Sequence, residues 1–172
     1  MTTFRKFEAQ EFASVATIVT TDFEALYAYK RGDYQQCLQL STQNVHTLID
    51  GINEVVSHVL TRSEFIQLMD DHLVCFVGLT LLVDSSFREE KNHVIISQLS
   101  LALYLMTQCQ IKLHHPVTSL AQTLDYIEVA HRKLGQEFPL NHLLLKLTEQ
   151  KILRYTYQPD SRNVTTCSFY GL

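Results

Sequence analysis

The chain has little glycine and little proline, with five Gly and three Pro in 172 residues. A fold with many tight β-turns usually needs more of both, so this scarcity favours helices. Charged residues are also sparse, at 19%, whereas hydrophobic residues reach 46%, a proportion that is typical of globular proteins and argues against disorder. A chain of this length forms one domain with a sizeable core.

Long hydrophobic runs are absent as well. The longest apolar run, residues 73–83, includes Gly78 and Thr80 and is well short of the about 20 residues that a membrane span needs. The N-terminal stretch contains Glu8 and Glu11 and no apolar segment of the kind that a secretory signal has. We therefore expect no transmembrane segment and an intracellular, cytoplasmic location.

The cysteines form no CxxC motif and are far apart in the sequence. This spacing favours free, buried thiols in a reducing compartment over a disulfide framework. The four positions are Cys37, Cys75, Cys109 and Cys167.

No catalytic, cofactor or metal motif is recognisable, and we predict that the protein is not an enzyme. The nearest approach to a ligand cluster is Cys109 with His114 and His115. A zinc site needs three or four converging ligands, and residues five apart on a helix diverge by about 140°. The triplet at residues 70–72, Asp-Asp-His, points in three directions on a helix and is not an acid–base group. We assign no catalytic, cofactor-binding or metal-binding residue.

The net charge of −4 gives no general attraction for nucleic acid, and we expect no nucleic-acid partner. The charge is uneven, because residues 1–111 carry seven basic and thirteen acidic side chains and residues 112–172 carry seven and five. Lys146 and Lys151 are interleaved with leucines in an amphipathic helix. That helix could dock on its own bundle, on a partner helix or on anionic lipid, and the first is the default.

Apolar periodicity and capping residues predict an all-α domain of six or seven antiparallel helices over residues 1–156. Residues 157–172 are interpreted as a tail or as the beginning of a following segment of a longer protein. Residues 94–111 contain no charged side chain, so we expect this helix at the centre, paired with residues 63–83. The predicted helical stretches are about 5–20, 21–31, 34–49, 52–60 (alone or continuing its predecessor), 63–83, 93–114, 117–134 and 139–155.

Three local signals set several of these boundaries. Thr21 and Glu24 have capping-box spacing, which predicts a helix start. Gly32 can take the left-handed conformation that ends a helix, and Asp33 can cap the next one. Asn92 is the predicted cap of the charge-free helix.

The stretch from Ala25 to Val45 places small residues on both sides of the sequence Tyr-Lys-Arg-Gly-Asp-Tyr at residues 29–34. It resembles one tetratricopeptide repeat, a family in which Gly-Asp-Tyr forms the turn between two closely paired helices. The match covers about residues 21–50. It departs from the family at Ser41 and Asn44, where a large apolar and a small residue are favoured. No second copy occurs at the expected period, so tetratricopeptide-like hairpins and an irregular helical bundle both stay open.

The resemblance implies a groove-facing side on the first helix of the hairpin, formed by Asp22, Leu26, Tyr29 and Lys30, which we take as candidate partner-binding residues. The family's clamp for a peptide carboxylate needs Lys and Asn on that face. Because Asp22 and Leu26 stand at two of those places, we expect no such clamp. The alternative from periodicity alone is that Leu26 and Tyr29 are simply packed.

These features together favour a non-enzymatic protein–protein interaction or scaffold module that uses a helical groove or an apolar helix face. Its partner would be a protein or peptide, or a second copy of the chain. The first alternative is a homo-oligomerisation domain of a larger protein, since charge-poor helices could leave an apolar face. The second is a helical bundle that binds a small ligand or acts as an enzyme.

Overall fold

The computed structural model describes residues 20–50, residues 71, 73–75, 78 and 79, residues 96–134 and residues 139–157. The fold is an all-α helical bundle, which confirms the predicted class. The predicted helix at 5–20, apart from residue 20, the predicted helix at 52–60 and the stretch 158–172 lie outside the described residues. The helices that the structure describes are α1 (residues 20–30), α2 (Tyr34–Asp50), α3 (Gln98–Lys112), α4 (Val117–Leu134) and α5 (Pro139–Tyr157).

The turn between α1 and α2 forms as the sequence predicts. Gly32 adopts the left-handed conformation, with φ of 80°. Its N–H donates to the Tyr29 carbonyl at 3.0 Å, and the Asp33 N–H donates to the Ala28 carbonyl at 2.9 Å. These are the two hydrogen bonds of a Schellman motif. The Asp33 side chain then accepts from the Gln36 N–H at 3.1 Å and caps α2.

The predicted start of the first hairpin helix is wrong by at least one residue. Thr20 is already helical, so Thr21 and Glu24 do not form a capping box at the helix start. The spacing of the two side chains is also met inside a helix, where residues three apart share a face.

Helix α3, which has no charged side chain before Lys112, lies at the centre, as predicted. All residues from Gln98 to Gln110 are buried, and α2, α4 and α5 all pack against the helix. A helix surrounded on several sides has no solvent face on which a charged side chain could stay hydrated, which accounts for its composition.

Helix α3 begins five residues later than the predicted Asn92 cap would place it. Ser97 is extended, with φ of −69° and ψ of 147°, and its side chain accepts from the Ser100 N–H at 3.1 Å. The Ser97 N–H in turn donates to Oδ1 of Asn141 on α5, at 2.7 Å. A contact between distant parts of the chain therefore fixes this cap, and a local pattern could not identify it.

Two further features join the helices into one bundle. His114 takes the left-handed conformation (φ of 53°) and ends α3, so that α4 and α5 return across it. Lys133 on α4 donates to the Leu48 carbonyl at 3.4 Å and to the Ile49 carbonyl, and these are free carbonyls of the last turn of α2.

Residues 71, 73–75, 78 and 79 are helical, within the predicted 63–83 helix. Leu73 is buried, but Val74, Cys75 and Leu79 are exposed. The expectation that the Cys75 thiol is buried is therefore wrong, because the described part of this helix meets solvent on one side. Its predicted pairing with the central helix stays a prediction. Among the described helices, none is both long and apolar enough to cross a bilayer.

Candidate functional site

Helix α1 has two sharply different sides. Its inner side, centred on Ala25 and Leu26, is buried against the rest of the bundle. Its outer side spans about 120° of the helix circumference at 100° per residue. We call this outer side the α1 face; it consists of the exposed residues Thr20, Phe23, Glu24, Tyr27, Lys30 and Arg31.

Two aromatic rings dominate the α1 face. Phe23 is 42% exposed and Tyr27, one turn later, is 51% exposed. The guanidinium carbon of Arg31 lies 5.5 Å from the centroid of the Tyr27 ring, at cation–π distance. The three side chains follow each other at intervals of four residues and form one continuous strip of aromatic and cationic surface.

The candidate partner-binding residues named from the resemblance divide between the interior and the surface. Asp22 is 0% exposed and Leu26 is 1% exposed, so neither presents open surface. Tyr29 is half-buried, with its ring centroid 5.5 Å from that of Tyr34 in an edge-on contact. Lys30 is exposed and belongs to the α1 face. The alternative that Leu26 and Tyr29 are packed describes both residues better, because Leu26 lies in the core and Tyr29 packs against it.

Phe23 and Tyr27 were not among the residues that we singled out from the sequence. The available signal was their spacing of four, displaced from the stripe of small residues at Ala25 and Ala28. Two large aromatic residues on the side of a helix opposite to its small residues indicate an outward apolar strip.

Asp22 forms the principal buried polar contact of the hairpin. Its Oδ1 accepts from Nδ2 of Asn44 on α2 at 2.7 Å, and both side chains are buried. Its Oδ2 has no hydrogen-bond partner among the residues that the structure describes. Burial raises the pKa of Asp22 from 3.8 to about 7, against the opposing effect of the Asn44 hydrogen bond.

The residues that come nearest to a ligand cluster in the sequence, which we did not assign as a metal site, are dispersed in the structure. Cys109 is fully buried beside Cys37 of α2, and hydrogen bonding to Cys37 together with burial raises the pKa of the Cys109 thiol. His114 instead faces outward, with Nδ1 3.2 Å from the Tyr155 hydroxyl. A neutral, enclosed thiol and an outward imidazole cannot bind one metal ion.

A second pair of imidazoles lies between α4 and α5. The rings of His131 and His142 are edge-on, with centroids 4.8 Å apart. Burial, followed by the nearby His142, lowers the pKa of His131. Two ligands are fewer than a stable zinc site uses, and no group of three His, Cys, Asp or Glu side chains suited to a metal occurs among the described residues.

Comparison of the chain with protein-family models, with curated proteins and with solved structures finds no match.

Proposed function

We propose that the domain is a non-enzymatic protein-interaction module that binds a protein or peptide through the α1 face. The observation that carries this proposal is the exposed strip of Phe23, Tyr27 and Arg31. Aromatic residues and arginine are enriched at the energetic centres of protein interfaces, where they combine a large contact area with hydrogen-bonding capacity. A rigid helix face also loses little conformational entropy when it binds.

Self-association has less support than binding of another protein. The charge-poor helices suggested from the sequence that an apolar face is left for a second copy. However, α3, the most charge-poor of them, is enclosed within a single chain. Its composition therefore needs no second copy. Light-scattering mass across a hundredfold concentration range separates the two functions, and we expect a monomer throughout.

The binding test is a selection of peptides from a displayed, charge-balanced library against the full chain. Binding of the selected peptides is then measured for the double variant Phe23→Ser/Tyr27→Ser, which removes both rings at exposed positions. Two truncated hot-spot residues together weaken binding by at least about a hundredfold. The matched control is Gln35→Ser/Gln39→Ser, which changes two exposed residues of α2.

Peptides that bind the wild type and the Phe23→Ser/Tyr27→Ser variant equally would contradict a role for the α1 face. A library that yields no specific binder would contradict the proposed function itself. We expect circular dichroism to show that each variant retains the fold, since both pairs of positions are exposed.

A further inference from the structure

Helix α5 carries a second outer face with a different composition. Its buried side contains Leu144, Leu145 and Ile152, which pack into the bundle as the default interpretation of this amphipathic helix predicted. Its exposed side is also partly apolar, although a helix docked on a bundle usually turns a polar side to solvent. We call this exposed side the α5 face; it consists of His142, Leu143, Lys146, Gln150, Leu153, Arg154 and Tyr157.

The α5 face is continuous and regular. At 100° per residue its seven members fall within about 120° of the helix circumference, and they extend over about 22 Å of helix axis. Its apolar members are Leu143, Leu153 and Tyr157, which are 40%, 37% and 80% exposed. A strip of this length fits about four turns of a partner helix that lies alongside it.

The charges of the α5 face all have one sign. Lys146 and Arg154 are exposed on it, next to the apolar side chains. The third basic residue of the helix, Lys151, is directed into the bundle, with Nζ 5.0 Å from the centroid of the buried Tyr104 ring. Glu149, the one acidic residue of α5, is half-buried, and its charge acts to raise the pKa of His131 on α4. The face is therefore apolar and cationic, within a chain of net charge −4.

We propose that the α5 face is a docking site for an acidic amphipathic helix of another protein, whose apolar residues cover Leu143, Leu153 and Tyr157 and whose carboxylates pair with Lys146 and Arg154. This inference rests on the proposed interaction function and adds a second surface and the chemistry of its partner. Complementary charges at the rim of an apolar strip raise the association rate and select the partner.

Charge also decides between this occupant and two others. A second copy of the chain in a two-fold interface would bring Lys146 and Arg154 against themselves, which is unfavourable. An anionic bilayer gains about 1 kcal/mol for each basic residue near its surface, and two such residues on a chain of net charge −4 give weak attachment. An acidic helix needs only the local charge of the face.

The test uses the full chain and two designed helical peptides that have the same leucines along one side. One peptide carries glutamate at its flanking positions, and the other carries lysine. We expect the acidic peptide to bind more tightly, with an affinity that falls as salt increases. The variant Lys146→Glu/Arg154→Glu should lower that affinity by about tenfold and should prefer the basic peptide. The matched control, Gln35→Glu/Gln39→Glu/Arg132→Glu, changes the net charge by the same amount at exposed positions of α2 and α4, outside both faces, and should retain the acidic preference.

The apolar part of the site is tested separately. Leu153→Ser/Tyr157→Ser should lower the affinity for the acidic peptide by at least about tenfold. It should not change the salt dependence of binding, because it removes contact area and no charge. Phosphatidylserine vesicles form the lipid arm. Binding of these vesicles without binding of the acidic peptide would overturn the inference, and so would equal binding of the two peptides or equal effects of the two charge-changing variants.

The outcome for the α5 face is distinguishable from the outcome for the proposed function. Phe23→Ser/Tyr27→Ser leaves the α5 face intact and should not change binding of the acidic peptide. If the acidic peptide does not bind while binding of the library peptides still depends on Phe23 and Tyr27, the inference about α5 is wrong and the interaction function stands. If both fail, the interaction function is wrong as well.

Discussion

Replacement of Asp22 by asparagine tests whether one interior carboxyl group controls the stability of the bundle. Asp22 is 0% exposed and accepts a single hydrogen bond, from Asn44 at 2.7 Å, among the described residues. Burial raises its pKa from 3.8 to about 7, although the Asn44 hydrogen bond acts in the opposite direction. The folded chain therefore keeps the proton of this carboxyl group over a pH range in which the unfolded chain has lost it.

The sign and the size of the effect follow from proton linkage. Because the folded state binds this proton more tightly, the contribution of Asp22 to stability is complete below about pH 4 and is lost as the pH rises through about 7. Each pKa unit corresponds to about 1.4 kcal/mol, so the difference between 3.8 and about 7 corresponds to a loss of about 4 kcal/mol of unfolding free energy. Asp22→Asn cannot ionise, keeps the shape of the side chain and still offers an acceptor to Asn44.

The assay is urea unfolding at several pH values, followed by far-ultraviolet circular dichroism, for the wild type and Asp22→Asn. Other titrating groups are common to both proteins and cancel in the difference between them. We expect similar stability at about pH 4 and an advantage of up to about 4 kcal/mol for Asp22→Asn at about pH 8. Asp125→Asn, at an exposed position of α4, is the control and should show no such divergence. Parallel stability profiles for the wild type and Asp22→Asn would refute the reasoning.

Three further outcomes test the local chemistry of the fold. Gly32→Ala should cost about 1–2 kcal/mol of unfolding free energy in urea melts, because φ is positive there while nothing lies within 4 Å of the added Cβ; a smaller loss would contradict a purely conformational cause. Lys133→Met should lower the unfolding free energy by about 1 kcal/mol, since it keeps the aliphatic stem but removes the hydrogen-bond donor to the last turn of α2. Arg132→Met, on the same turn of α4, is the control and should cost less. A thiol reagent followed by peptide mass mapping should label exposed Cys75 at least about a hundredfold faster than enclosed Cys109, and comparable rates would contradict the described burial.

Features set by neighbours in the sequence could be predicted. The left-handed Gly32 and the Asp33 cap are determined within six residues, and both occur in the structure. The predicted bounds of α4, 117–134, agree with the observed Val117–Leu134 because Pro116 and the basic last turn are local signals. The central position of α3 was likewise predictable, since the absence of charge over many consecutive residues has few explanations other than enclosure.

Features set by distant contacts could not be predicted. The Ser97 cap of α3 donates to Asn141, 44 residues away, and the one hydrogen bond that Asp22 accepts among the described residues comes from Asn44, 22 residues away. A carboxylate in the first turns of a helix is usually solvated, so a local pattern assigns Asp22 to the surface. The exposed strip of α5 could not be predicted either, because in that case the local pattern suggests burial where the structure has exposed side chains. Leucines on every side of a helix predict a buried element, and periodicity alone does not show which leucines meet solvent.

The α1 face and the α5 face share one electrostatic property. The α1 face carries Glu24 against Lys30 and Arg31, and the α5 face carries Lys146 and Arg154 without an acidic residue. Both are therefore positive, although the chain as a whole is acidic. A surface on which cations are concentrated beside exposed apolar side chains disfavours a two-fold pairing with its own copy and favours a partner that brings carboxylates.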